Sequence, residues 1–169
     1  GMNNFLFFAN SAPYFMTRSG ATVAADGKYI NLREDKFDDF ARFLVTCAKH
    51  FRKKGYGVNY ISPLNEPNGE WHSNSFQEGT FATKADIFRM VKELDKAIED
   101  EKLNTKIIIP EIGEMKYLFE IDKNERVPDD IIHSMFYENG EYSVLGMKNL
   151  YNCVAAHDYW TAYPAELLV

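Results

Sequence analysis

Short apolar runs alternate with longer stretches of helical periodicity along this chain, and few architectures accommodate that order. The first run, "FLFFA" at residues 5–9, is unbroken and is bounded by Asn10, Ser11 and Pro13, as expected of a strand buried on both faces. The second, "VNYISP" at residues 58–63, is apolar on alternate residues and ends on a proline, which fits only a strand end or a position needing no ladder bond. "KIIIP" at residues 106–110 is the third, and "NCVAAHDYW" at residues 152–160 contains the fourth. Between the first two, Phe37, Phe40, Phe43, Leu44, Cys47 and Phe51 recur at three- and four-residue steps, and Arg52, Lys53, Lys54 and Gly55 close a helix. Thr83 with Asp86 forms a capping pattern ahead of Ile87, Met90, Val91, Leu94, Ala97 and Ile98, a second amphipathic helix. Residues 128–137 read as a shorter helix, and another begins after Pro164. Strands that alternate with helices join by right-handed crossovers into a parallel sheet, so the fold class is α/β.

A chain of 169 residues that is 46% hydrophobic and 26% charged holds enough apolar material for one core, so residues 1–169 are expected to form a single domain. A net charge of -6 with no basic stripe argues against a nucleic-acid partner. The apolar runs are too short for a membrane span, and no basic segment followed by an apolar region leads the chain. Cys47 and Cys153 have no metal-ligand spacing and read as separate buried thiols. Gly1 ahead of Met2 reads as a scar of tag removal.

The polar residues able to do chemistry follow the strands: Asn10 and Ser11, Asn65 and Glu66, Glu111 and Glu114, His157 and Asp158. That is the carboxyl edge of a parallel sheet, where ligands bind in barrels and in open sheets alike. Glu66 stands between Asn65 and Pro67, with Pro63 stiffening the approach and Trp71 and Trp160 offering flat faces at the same edge. Stacking planes, amides and a carboxylic acid are the parts of a carbohydrate site. Trp71 and Trp160 read equally as packing residues, and His157 as a sugar ligand or a satisfied core imidazole. Glu111 and Glu114 read as solvated or hydrogen-bonded loop acids. His72 and His157 lack the short ligand spacing of a zinc site.

The ordered set "NSAPYFMTRSG", "LNEPNGEW", "SFQEGT" and "AAHDYW" resembles the catalytic barrel of glycoside hydrolase family 30, especially members similar to endo-β-1,6-galactanases. The resemblance covers roughly residues 5–168. It implies a retaining (β/α)8 glycosidase acting on oligo- or polysaccharide, with Glu66 as acid/base and Asn65 hydrogen-bonding a sugar hydroxyl. It implies that Asn10, Ser11, Trp71, Gln77, Glu78, His157 and Tyr159 line the substrate cleft, and that no metal or organic cofactor takes part. The family is usually secreted or periplasmic. If Glu66 ends the fourth strand of that barrel, the four runs are its third to sixth strands, a partial TIM barrel. The family's nucleophile lies on the seventh. A retaining mechanism needs two carboxyl groups on the order of 5 Å apart, and a closed barrel takes about 250 residues. The expectation is therefore a central fragment that is inactive alone. The alternative is a noncatalytic half-barrel that binds carbohydrate or pairs with a second copy through exposed sheet edges. A strict monomer in light scattering at high concentration would count against pairing.

Overall fold

The computed structural model describes residues 4–121 and 129–159. Gly1, Pro128, Trp160 and the helix expected after Pro164 lie outside these residues. Strand β1 (Phe5–Phe8) leads to α1 (Phe37–Lys53), β2 (Val58–Ser62), α2 (Lys84–Asp100), β3 (Lys106–Ile107), β4 (Pro110–Ile112), α3 (Ile131–Met135) and β5 (Ala155–Ala156), with short 3₁₀ turns between. Every strand pair is parallel: β1–β2–β3 form one sheet and β4–β5 a second. This is the mixed α/β arrangement that the alternation of runs calls for.

The third run does not form one strand. Pro110 has no N–H to offer a ladder, and the pairing is interrupted between Ile107 and Pro110. Backbone hydrogen bonds nevertheless carry the layer across the break. Ile108 N–H donates to Ile61 O at 3.0 Å on one side; Tyr151 and Ala155 N–H donate to Ile107 O and Ile109 O, both at 2.9 Å, on the other. Residues 106–112 therefore lie between β2 and the segment that ends in β5.

The expectation that the first run is buried on both faces does not hold. Phe5 and Phe7 are half-buried, and Phe7 meets the Phe51 ring of α1. Leu6 is 47% and Phe8 37% exposed. The pleat sends these two to the opposite face, where no layer among the described residues covers them. Tyr151 and Val154, in the segment before β5, are likewise exposed.

Helix α1 buries Phe37, Phe40, Ala41, Leu44, Val45 and Ala48, a stripe at three- and four-residue steps. Phe43, Cys47 and Phe51 belong to a neighbouring stripe that is only partly covered. Helix α2 starts as its sequence dictates: Thr83 Oγ1 accepts from Asp86 N–H at 3.2 Å, and Asp86 Oδ2 accepts from Thr83 N–H at 3.0 Å. Both orphan donors of the first turn are satisfied reciprocally. Thr83→Ala is expected to lower unfolding stability by about 1 kcal/mol, measurable by urea denaturation; no change would show that the box is not formed in solution. Beyond the cap, Ile87, Met90, Val91 and Leu94 are fully buried and form the centre of the core with α1, Ile61 and Ile107. Helix α3 has five residues, shorter than the sequence suggests. No helix among the described residues is long and apolar enough to cross a membrane.

Candidate active site

The residues after β2 are held as tightly as the strand itself. All positions from Ile61 to Pro67 are buried. Glu66 has a left-handed backbone, φ 48°, which disfavours a residue with a Cβ. Its N–H donates to Glu111 O at 3.0 Å, and its carbonyl accepts from Gly69 N–H and from the Trp71 indole N–H, each at 2.9 Å. These bonds over-determine a conformation that the local chain would not choose, the pattern found where strain serves a site.

The side chain of Glu66 points to β5. Its Oε1 is hydrogen-bonded to His157 Nδ1 at 2.7 Å. On the far side of the imidazole, Nε2 lies 3.4 Å from Glu111 Oε2. Glu111 is also left-handed, φ 58°, and both glutamates are 8% exposed. His157 N–H donates to Ile112 O at 2.7 Å, fixing the ring's backbone to β4. Glu66 in the turn after β2, Glu111 within β4 and His157 just after β5 thus form a closed ring of one backbone bond and two side-chain approaches. Two buried carboxyl groups therefore face the two ring nitrogens of one imidazole.

Asn65 is 3% exposed, and its Nδ2 lies 3.4 Å from Glu78 O. Its Oδ1 has no hydrogen-bond partner among the described residues. A buried amide oxygen without a donor is costly, and Asn65 is one of two such side chains among the described residues, with Ser62. Ser11 Oγ donates to Glu78 Oε2 at 2.9 Å, and Thr80 Oγ1 to Asn10 O at 2.8 Å. These bonds tie the loop after β1 to the loop after β2.

A cavity of about 460 Å³ opens beside Glu66, lined by Asn68, Gly69, Trp71, Phe76, Gln77, Gly113, Glu114, Tyr117 and Tyr159. Of the residues read from sequence, Glu66, Trp71, Gln77 and Tyr159 meet on this wall, and His157 stands behind it against Glu66. Asn10, Ser11 and Glu78 belong instead to the loop tie next to it. Trp71 is closely packed where it borders this wall. The indole is buried, and a Cβ placed on Gly69 or Gly79 would come within 2.6 Å or 2.1 Å of it.

Sequence reasoning missed Phe76, Tyr117, Asn68 and Gly113, and it read Glu111 as a solvated or hydrogen-bonded loop acid. Glu111 is buried rather than solvated, and its environment also reaches Cys153. Both cysteines are unpaired and their thiols are pushed above the ordinary range by burial, that of Cys153 also by the Glu111 carboxylate. Sequence order puts Glu111 with the polar residues at the strand mouths, but its burial against His157 depends on the pairing of β4 with β5.

The family model described as O-glycosyl hydrolase family 30 matches residues 1–169. No curated protein matches the chain significantly. Among solved structures, a conserved exported protein from Bacteroides fragilis is similar at 73% identity and TM-score 0.92, over 99% of this chain and 34% of that one. An endo-β1,6-glucanase is similar at 18% identity and TM-score 0.64, over 91% of this chain and 32% of that one. The catalytic domain of xylanase C from Talaromyces cellulolyticus is similar at 19% identity and TM-score 0.53, over 68% of this chain and 27% of that one. The last two show likeness of fold. The chain spans about a third of the length of the solved proteins it matches.

Proposed function

The chain belongs to O-glycosyl hydrolase family 30, and from that premise we propose that it forms the third to sixth strands of a retaining glycosidase barrel acting on β-linked polysaccharide, β-1,6-galactan or a related glycan, with Glu66 as acid/base. The observation that carries this reading is the setting of Glu66: a buried carboxyl group in a left-handed turn at a strand mouth, bonded to His157 and facing an open cavity. The uncovered apolar side chains of Leu6, Phe8, Tyr151 and Val154 support the partial barrel, because the remaining strands and their side chains would cover them.

In this role Glu66 gives its proton to the glycosidic oxygen as the C–O bond to the anomeric carbon breaks, while a second carboxylate forms a bond to that carbon. Glu66, now a carboxylate, takes a proton from the water that displaces the resulting ester, and the cycle closes. His157 orients the Glu66 carboxyl group in both states. Asn65, next to Glu66 in the chain, is the residue assigned to hydrogen-bond a sugar hydroxyl beside the scissile bond. The attacking carboxylate belongs to the seventh strand of the family's barrel, so this chain alone supplies one member of the pair.

The test is release of aryl alcohol from activated β-galactosides and β-glucosides by the isolated chain and by its Glu66→Gln variant. No release by either is expected. Release by the chain, whether it is kept or lost in the variant, would show that the second carboxylate is already present, and would overturn the half-pair reading.

A further inference from the structure

Glu111 takes no part in the chemistry assigned to Glu66, yet it reaches that residue twice. Its backbone carbonyl accepts the Glu66 N–H at 3.0 Å, and its carboxyl group stands behind the histidine that meets the Glu66 side chain. The position is an unfavourable one for any side chain. Glu111 has φ 58°, a left-handed conformation that glycine adopts far more readily. It is also 8% exposed, so little water is left to solvate its carboxyl group. A strained backbone and a buried acid at one residue point to a task for that side chain. The thiol of Cys153 already registers the carboxylate, being pushed up by burial and, after that, by Glu111.

The imidazole of His157 presents one nitrogen to each glutamate: Nδ1 is 2.7 Å from Glu66 Oε1, and Nε2 is 3.4 Å from Glu111 Oε2. A half-turn of the ring would put carbon atoms at both places, so the two contacts together define which way it faces. The ring is enclosed besides, with Tyr159 edge-on to it at 5.4 Å between centroids and the His157 N–H bonded to Ile112 O. We propose that Glu111 is a positioning residue: by keeping a proton on His157 Nε2 it fixes the orientation of the imidazole, and through the imidazole it aims the Glu66 carboxyl group. A carboxylate only accepts, so the nitrogen that faces Glu111 is the one that carries the proton. The contact between Nδ1 and Oε1 then holds a second proton, because a bare nitrogen and a bare oxygen are both acceptors and would repel. Glu66 Oε1 is thereby committed to the histidine. The consequence for turnover rests on the reading of Glu66 as the acid; the orientation of His157 does not.

The test is NMR of the histidine ring nitrogens in the isolated chain, which reports whether each of them bears a proton. The chain has four histidines, His50, His72, His133 and His157, and the signals missing from a His157→Gln variant identify the last. A protonated Nε2 is expected in the wild type. Its loss is expected in Glu111→Leu, where no acceptor faces that nitrogen. His133, whose Nδ1 meets Asp130 Oδ1 at 2.6 Å, should give the same signals in both chains and so reports on the fold. A bare Nε2 in the wild type would overturn the assignment without any variant, and so would a protonated Nε2 that persists in Glu111→Leu. In a polypeptide carrying this sequence at the full length of its solved relatives, Glu111→Leu is expected to lower kcat/KM on β-linked polysaccharide about tenfold more than on an aryl glycoside with a weakly basic leaving group. Equal losses on the two would mean that Glu111 only fills space, and the positioning role would fall. Failure of the acid reading shows itself separately, as a Glu66→Gln variant that treats both substrates alike, and it leaves the His157 signals of the wild type and of Glu111→Leu to decide the role of Glu111.

Discussion

Glu66→Gln, in a polypeptide carrying this sequence at the full length of its solved relatives, is expected to lower kcat/KM on β-linked polysaccharide by about 10²–10⁴-fold. The same substitution is expected to leave kcat/KM on an aryl glycoside with a weakly basic leaving group nearly unchanged. The difference follows from what the proton does. A sugar alkoxide cannot leave unprotonated, whereas an activated phenolate can, so only the first substrate needs the acid in the bond-breaking step. Glutamine keeps the shape of the side chain and its contact with His157 but has no proton to give. Steady-state kinetics on both substrates decide the matter; equal losses on the two would mean that Glu66 serves some purpose other than protonating the leaving group.

Gly79→Ala is expected to destabilise the isolated chain by about 1–3 kcal/mol, the cost of overpacking a filled interior. A Cβ at this position would lie 2.1 Å from Trp71 Cε2 and 2.4 Å from Trp71 Cδ2. The indole is buried, a Cβ on Gly69 would crowd it as well, and its N–H is committed to the Glu66 carbonyl. The added methyl therefore displaces either the loop after β2 or the tryptophan that pins the turn of Glu66. Each kcal/mol corresponds to a drop of about 2–4 °C in Tm for a chain of this size, so a thermal melt resolves the effect. A variant that melts with the wild type would show that this loop is not packed as described.

The elements that were legible in the sequence are those whose signal is local. The stripe of α2 and the Thr83–Asp86 cap lie within one element's own residues and appear where the sequence puts them, whereas the buried stripe of α1 keeps Phe37, Phe40 and Leu44 and leaves Phe43, Cys47 and Phe51 partly covered. The apolar runs located the strands but not their limits, because the break before Pro110 depends on one missing N–H rather than on hydrophobicity. The exposure of Leu6 and Phe8 was not legible, since an apolar run does not say whether a layer covers both of its faces. At the site, Asn65-Glu66-Pro67 at a strand mouth singled out one carboxylate. Its contact with His157 joins residues 91 positions apart, and only the parallel packing of strands brings them together. The close packing of Trp71 depends on two glycines that sequence spacing cannot place against its ring.

The left-handed turns at Glu66 and Glu111 have a bearing on how this chain would respond to selection. An L-residue in that conformation costs roughly 1–2 kcal/mol, a penalty that glycine largely escapes. At both positions, then, the backbone favours glycine, and the chain holds a carboxylate instead. In a library screened for heat resistance alone, glycine would be enriched at these two positions, and the surviving variants would be sturdier proteins with an empty proton-handling centre. Stability and chemistry compete here over the same two dihedral angles, so an engineered version of this chain should hold both glutamates fixed before anything else is allowed to vary.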